Sequence, residues 1–252
     1  MSASIRTGTG MKRWACVLGL AVACLLPTNS PAAVVIAGTR VVFPAERGEV
    51  TVRLSNEGEM PALVEAWIDN GDPNSTPDQS RVPFLITPPL FRMNAGKGQS
   101  LRIVYSQEPL PADRESVFWL NVLEIPPKPA AGASEPQNTL QFAVRSRLKL
   151  FYRPAKLAGE AAKAPALVTW NGTADNGSPA LEVHNPSPYY ITFSKLALAG
   201  GAAPLSVAGG MVAPFGSLRL AVKNLPAPGT AIEYTTINDY GASVSWQGAV
   251  SR

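Results

Sequence analysis

The chain has 252 residues, with 22 Lys+Arg against 18 Asp+Glu, 24 Pro, 21 Gly, 2 Cys and 1 His. Apolar residues at 46% with only 16% charged exclude a disordered chain, and the length suffices for one large domain or two ordinary ones, each with its own core. The proline and glycine content argues against a helical bundle, and one histidine with two cysteines leaves no material for a His-rich or Cys-rich metal centre.

In chain order, Met11-Lys12-Arg13 opens a basic stretch, an apolar run follows from Trp14 to Leu26, and small residues surround Ser30-Pro31-Ala32-Ala33. This is the layout of a secretory signal peptide over residues 1–33, with cleavage after Ala32 or Ala33. The apolar run, about 13 residues, is shorter than the ~20 needed to span a bilayer, so no membrane insertion of the mature chain is expected. A lipoprotein-like step at Ala21-Val22-Ala23-Cys24 is the weaker alternative, because apolar Leu25-Leu26 follows it at once. Cleavage removes Arg6, Lys12, Arg13 and both cysteines, leaving a net charge of about +1. The sequence pI of 9.2 then says nothing in favour of nucleic acid.

Beyond the leader, short alternating segments separated by turn residues predict strands at 34–43, 49–54, 63–68, 84–86, 100–106, 116–125 and 139–152. Seven strands at that spacing suggest an immunoglobulin-like sandwich over 34–154, with Trp67 and Trp119 as core residues by default. Residues 155–165 are rich in Ala and Lys without alternation and read as a hinge. A second β-rich unit, 166–252, has predicted strands at 166–170, 180–184, 189–198, 217–222, 231–237 and 243–246, with Asn171-Gly172 and Asn176-Gly177 as turn signals. Gly96-Lys97-Gly98 reads as a hairpin turn. The fold class expected is all-β, two sandwich domains after a cleaved signal peptide.

Catalysis finds no support. Once the leader is removed, His184 has no Cys or second His to share a metal, no Gly-x-Ser-x-Gly nucleophile motif occurs, and no phosphate-binding loop is present. No cofactor and no metal are expected.

The segment 138–154 carries a different signal. Leu140, Phe142, Val144 and Leu148 fall on one face of a long strand, with Ser146 interrupting the stripe. Arg145, Arg147 and Lys149 line the other face. One reading is a central strand covering its own core. The other is a long edge strand, which is an aggregation hazard unless it exists to pair with another chain. Such an edge would also allow self-association.

At this point the sequence resembles a known family. Gly38-Thr39-Arg40-Val41-Val42-Phe43-Pro44, Thr87-Pro88-Pro89, Arg114 to Val122 with Glu124-Ile125-Pro126-Pro127, Arg147 to Pro154, Asn185 to Tyr190, and Asn238-Asp239-Tyr240-Gly241 occur in the family's order. The chain is similar to the periplasmic pilus chaperones of the chaperone–usher pathway, the PapD-like family. The resemblance implies two immunoglobulin-like domains set at an angle, a boomerang, and a non-enzymatic chaperone exported to the periplasm. Its partners would be pilus subunits and an outer-membrane usher. Arg40 and Lys149 match the pair expected to hold the subunit's C-terminal carboxylate, a task suited to two desolvated cations. Leu140, Phe142, Val144 and Leu148 would enter the subunit's open groove by donor-strand complementation. Glu115, Arg153 and Asp239 resemble an interdomain salt-bridge set. The loop between Pro126 and Asn138 is short and lacks a cysteine pair, which resembles the branch linked to rod-like fimbriae. The rival reading is a structural pilin or adhesin, but neither an N-terminal donor extension nor a disulfide is visible in the sequence.

Overall fold

A computed structural model describes residues 33–128, 140–175, 177–198 and 210–251. The expected signal peptide, apart from Ala33, lies outside the described residues, as do Thr139, Asn176 and most of the 126–138 loop. The described chain is all-β.

In the first sandwich, one sheet has the order β1 (Val34–Ile36), β3 (Glu49–Asn56), β7 (Gly98–Tyr105), β5 (Phe84–Thr87). The facing sheet runs β2 (Arg40–Pro44), β9 (Val144–Arg153), β8 (Ser116–Ile125), β4 (Ala62–Asp69), β6 (Leu90–Met93). Alternation decides which side chains meet between them. Val52 and Leu54, Leu101 and Ile103, Leu120 and Val122, and Leu148 and Leu150 all turn inward. Phe84 stands among the aromatics, its ring 5.4 Å from Phe43 and 5.0 Å from Phe118, both edge-on.

The second sandwich packs a sheet of β10 (Thr169–Asp175), β11 (Ser178–His184) and β14 (Ser217–Ala221) against one ordered β13 (Met211–Val212), β12 (Ile191–Leu198), β15 (Ala231–Ile237), β16 (Ser243–Ala249). Trp170, Phe193 and Tyr234 form its aromatic centre, with ring centroids 5.3–5.7 Å apart.

Several expectations change. The segment 34–43 is two strands, because Gly38 takes φ 100°, a conformation only glycine adopts without strain. The chain thereby switches sheets: β1 pairs with β3, while β2 joins β9 in parallel register. The long strand at 139–152 is ten residues, starting at Val144 rather than 139, and Leu140 to Ala143 are described but unpaired. Asn171-Gly172 is not a turn. Both residues lie inside β10, and a β-carbon on Gly172 would press on Leu225 Cδ1 at 3.2 Å. Asn176-Gly177 does sit at a hairpin, since Asp175 pairs with Ser178 across it. In place of a strand at 166–170, a short 3-10 turn (Ala164–Leu167) precedes β10. Pro165 suits that turn, and its carbonyl accepts a 2.7 Å bond from Tyr234 Oη. Gly96-Lys97-Gly98 links β6 to β7, which belong to different sheets, so it is a sheet-to-sheet corner and not a hairpin. Neither β6 nor β13 is among the expected strands.

Trp67 is buried as expected and Trp119 half-buried, but neither packs into the core between the two sheets. They occupy the outer face of the five-stranded sheet, opposite in parity to the inward residues of β4 and β8. Guanidinium groups cover them instead of the core, as described next.

Candidate functional site

Parallel pairing of β2 with β9 sets Arg40 directly opposite Lys149. Neighbours in register in a sheet share a face, so both cations point toward the second sandwich. Arg40 Nη1 donates to the Ile237 carbonyl of β15 at 2.9 Å, and its guanidinium lies 5.8 Å from the Phe151 ring centre. Lys149 Nζ reaches Thr192 Oγ1 of β12 at 3.4 Å. Arg40 Nε is buried without a partner. Among the described residues neither cation forms an ion pair. Burial pushes the Arg40 guanidinium below its ordinary value, against the pull of Asp239, and burial followed by the nearby Arg40 charge pushes Lys149 down. Two half-buried like charges destabilise one another, and an anion between them would remove that penalty. The chemical capacity of the cleft is thus to bind an anion.

The interdomain set is assembled as well. Arg153 Nε bonds Glu115 Oε1 at 2.7 Å, and its two terminal nitrogens bond Asp239 at 2.8 and 3.0 Å in bidentate fashion. Glu115 Oε2 accepts the Tyr190 backbone N–H at 2.8 Å, so one buried carboxylate ties the first domain to the second. Burial pushes the Glu115 carboxyl up, opposed by Arg153 and that N–H. Arg153 is held more firmly protonated, since its two carboxylates outweigh its burial. Nearby, the two domains approach so closely that a β-carbon on Gly241 would collide with Thr39 Oγ1. Gly241 also needs its positive φ of 82°.

The apolar stripe divides. Leu140 is 77% exposed, Phe142 70% and Val144 46%, whereas Leu148 is only 8% exposed and belongs to the first core. Leu148 is therefore a correction: it packs inward with Leu150 and Tyr152 and is not free to enter another protein. Ser146, half-buried, stands between exposed Val144 and buried Leu148. The strand is also neither wholly edge nor wholly central. From Lys149 to Tyr152 it lies between β2 and β8, but from Val144 to Leu148 only β8 pairs with it, leaving one edge open.

Sequence reasoning missed the network on the outer face. Arg145 and Arg147 lie over Trp67 and Trp119, each 4.7 Å from the ring centre. Arg147 grips buried Asp69 through bonds of 2.5 and 3.1 Å, and Asn121 Nδ2 donates to the same carboxylate at 2.7 Å. Arg145 bonds Asn121 Oδ1 and the Pro73 carbonyl. The signal available in sequence was the run of cations at one parity, but their partners are some 24 to 78 positions away. Burial alone would raise the Asp69 carboxyl, yet hydrogen bonds from Arg147, Asn121 and the Gly71 N–H hold it below its usual value. Asp69→Ala strands the guanidinium and should cost on the order of 3 kcal/mol in urea unfolding. A carboxyl depressed in the folded state stabilises above its unfolded value and ceases to do so as pH falls through the folded one. The Asp69→Ala deficit should accordingly be complete at neutral pH and shrink below about pH 4.

Among the described residues no cluster of three His, Cys, Asp or Glu could hold a metal, and no helix is long and apolar enough to cross a membrane. Two linked sandwiches with an open strand edge beside a cation-lined cleft are the equipment of a strand-lending binding protein.

The comparisons with known proteins agree with that class. The N-terminal domain of the pili and flagellar-assembly chaperone PapD matches residues 33–158, and the C-terminal domain of the pili assembly chaperone PapD matches residues 163–247. The chain belongs to the PapD-like family of pilus chaperones of the chaperone–usher pathway. It is 46% identical over 250 residues to the chaperone protein FimB/FhaD of Bordetella pertussis, covering 96% of this chain and all of that one. It is 44% identical to the chaperone protein MrkB of Klebsiella pneumoniae, covering 84% and 89%. The crystal structure of the Pseudomonas aeruginosa CupB2 chaperone superposes with a TM-score of 0.72 at 38% identity, over 86% of this chain and all of that one. A complex of the Salmonella enterica SafA pilin with the SafB chaperone aligns with a TM-score of 0.72 at 28% identity, over 88% and 99%. The protein is thus a periplasmic chaperone of pilus assembly and not an enzyme.

Proposed function

We propose that this chaperone captures a pilus subunit by lending it the open edge of β9, while Arg40 and Lys149 hold the subunit's C-terminal carboxylate. The observation that carries the reading is the pair of unpaired, half-buried cations at the point where β9 changes from a central to an edge strand. A chain end fixed there has five residues of free edge beside it, ~17 Å at 3.4 Å per residue. Main-chain bonds along that edge would give affinity, and exposed Leu140, Phe142 and Val144 would fill the subunit's open core. Leu148 remains in the chaperone's own core, so the inserted stripe has three residues.

An anchored end also sets the register, since a slip of one residue turns every side chain to the wrong face. Glu115, Arg153 and Asp239 would keep the cleft at a fixed width around the carboxylate. SafB is solved with a pilin bound, which supports the same kind of partner here, with an outer-membrane usher as the recipient. The test moves the carboxylate. A subunit extended by three glycines beyond its natural C-terminus should no longer co-purify with the chaperone, and undiminished capture of that subunit would overturn the anchor.

A further inference from the structure

Beside the two cations lies a cavity of about 290 Å³ between the sandwiches. Arg40 forms part of its wall, and so does Thr192, the residue that Lys149 touches. The rest of the wall is mainly apolar and aromatic, with Phe151, Tyr190, Ile237, Val244 and Trp246 drawn from both domains. The acidic groups bordering it, Glu115 and Asp239, are already engaged by Arg153. The cavity is many times the ~30 Å³ that a water occupies, yet most of its surface gives water nothing to bond. The orphaned Nε of Arg40 adds one buried donor without an acceptor.

Resting on the carboxylate anchor proposed above, we infer that this cavity receives the side chain of the subunit's last residue and favours an aromatic or large aliphatic one. The terminal Cα lies one bond, ~1.5 Å, from the carboxylate carbon. Whatever side chain it carries must therefore start at the cavity mouth once Arg40 and Lys149 hold the carboxylate. Phe151 and Tyr190, with ring centres 5.8 Å apart, offer aromatic faces to stack on. A glycine end leaves the cavity unfilled. An acidic side chain enters a largely apolar space bordered by two carboxylates and is rejected. The anchor would recognise any free chain end, and the cavity would choose among them.

The test uses the full chaperone and acetylated strand peptides of alternating apolar sequence, about a dozen residues long. The peptides are identical except for a last residue of Phe, Leu, Gly or Asp, and each is made as the free acid and the amide. Fluorescence anisotropy of the labelled peptides reads the affinity. Free acids ending in Phe or Leu should bind about ten- to a hundredfold tighter than those ending in Gly, with Asp weakest. In Val244→Phe, which fills the cavity from β16, the preference for Phe over Gly should collapse while the Gly peptide binds as before. Ala162→Leu, at the hinge side of the same cavity, gives a second filling variant should Val244→Phe fail to fold. Free acids that bind better than amides, but equally well whatever the last residue, overturn the cavity assignment and leave the anchor standing. Acids and amides of equal affinity, or no binding by any peptide, overturn the anchor and the cavity reading with it. A preference that survives both filling variants also overturns the cavity reading.

Discussion

Replacing Arg40 or Lys149 with alanine should abolish recovery of a co-expressed pilus subunit while leaving the chaperone folded. Truncating one partner of a desolvated charge pair costs about 2–5 kcal/mol of binding, a loss of roughly 30- to several-thousandfold in affinity. The free chaperone should hardly notice the loss of Lys149. Its ammonium is half-buried beside a like charge and is pushed below its ordinary value by both. Removing it relieves repulsion and forfeits only a 3.4 Å contact with Thr192. Arg40→Ala gives up the bond to the Ile237 carbonyl and the packing on Phe151, so a small loss of thermal stability is expected there.

The pH dependence follows from the same geometry. A bound carboxylate raises the lysine from its lowered free-state value. Capture is then fully favoured below the free-state value, itself lower than the usual 10.5, and weakens as pH climbs through it. Lys149→Met should remove that alkaline limb. Subunit recovery by both alanine variants at the wild-type level would sink the anchoring role.

Phe142→Asp should abolish capture as thoroughly, for a different reason. Phe142 is 70% exposed and outside every ladder in the free chaperone, so an aspartate there should leave urea unfolding unchanged. In the complex the same position would enter the subunit's apolar groove, where an unpaired carboxylate is strongly disfavoured. Leu140→Asp and Val144→Asp should act alike, each also forfeiting about 1.5–3 kcal/mol of apolar burial.

Leu148→Ala is the contrast that separates donation from packing. Leu148 lies in the core of the first sandwich, so its truncation should destabilise the free chaperone by about 2–5 kcal/mol. Capture per folded molecule should stay close to wild type. The donor assignment fails if Phe142→Asp binds subunit normally, or if Leu148→Ala folds stably and loses capture.

The β9 stripe illustrates where sequence reasoning reaches its limit. Leu140, Phe142, Val144 and Leu148 share a parity, and parity is a property of the strand alone. Which of them touch solvent depends on where the facing sheet ends. Its strands cover Leu148 and not Val144, and nothing local to the segment encodes that boundary. Trp67 and Trp119 make the same point, because a strand tryptophan is drawn inward or outward by whatever covers it. Here the cover is Arg145 and Arg147, brought over from β9.

Arg40 and Lys149 are linked only through the family resemblance, since they lie 109 positions apart and no spacing rule connects them. The strand periodicities, the paucity of metal ligands and the two-sandwich class were all legible in the residues, because alternation and turn chemistry act over a few neighbours. The break at Gly38, the parallel register that sets the two cations side by side, the burial of Leu148 and the aromatic cavity beyond Arg40 emerge only when distant strands pair. Their energies come from contacts between segments far apart in the chain, which a local pattern does not record.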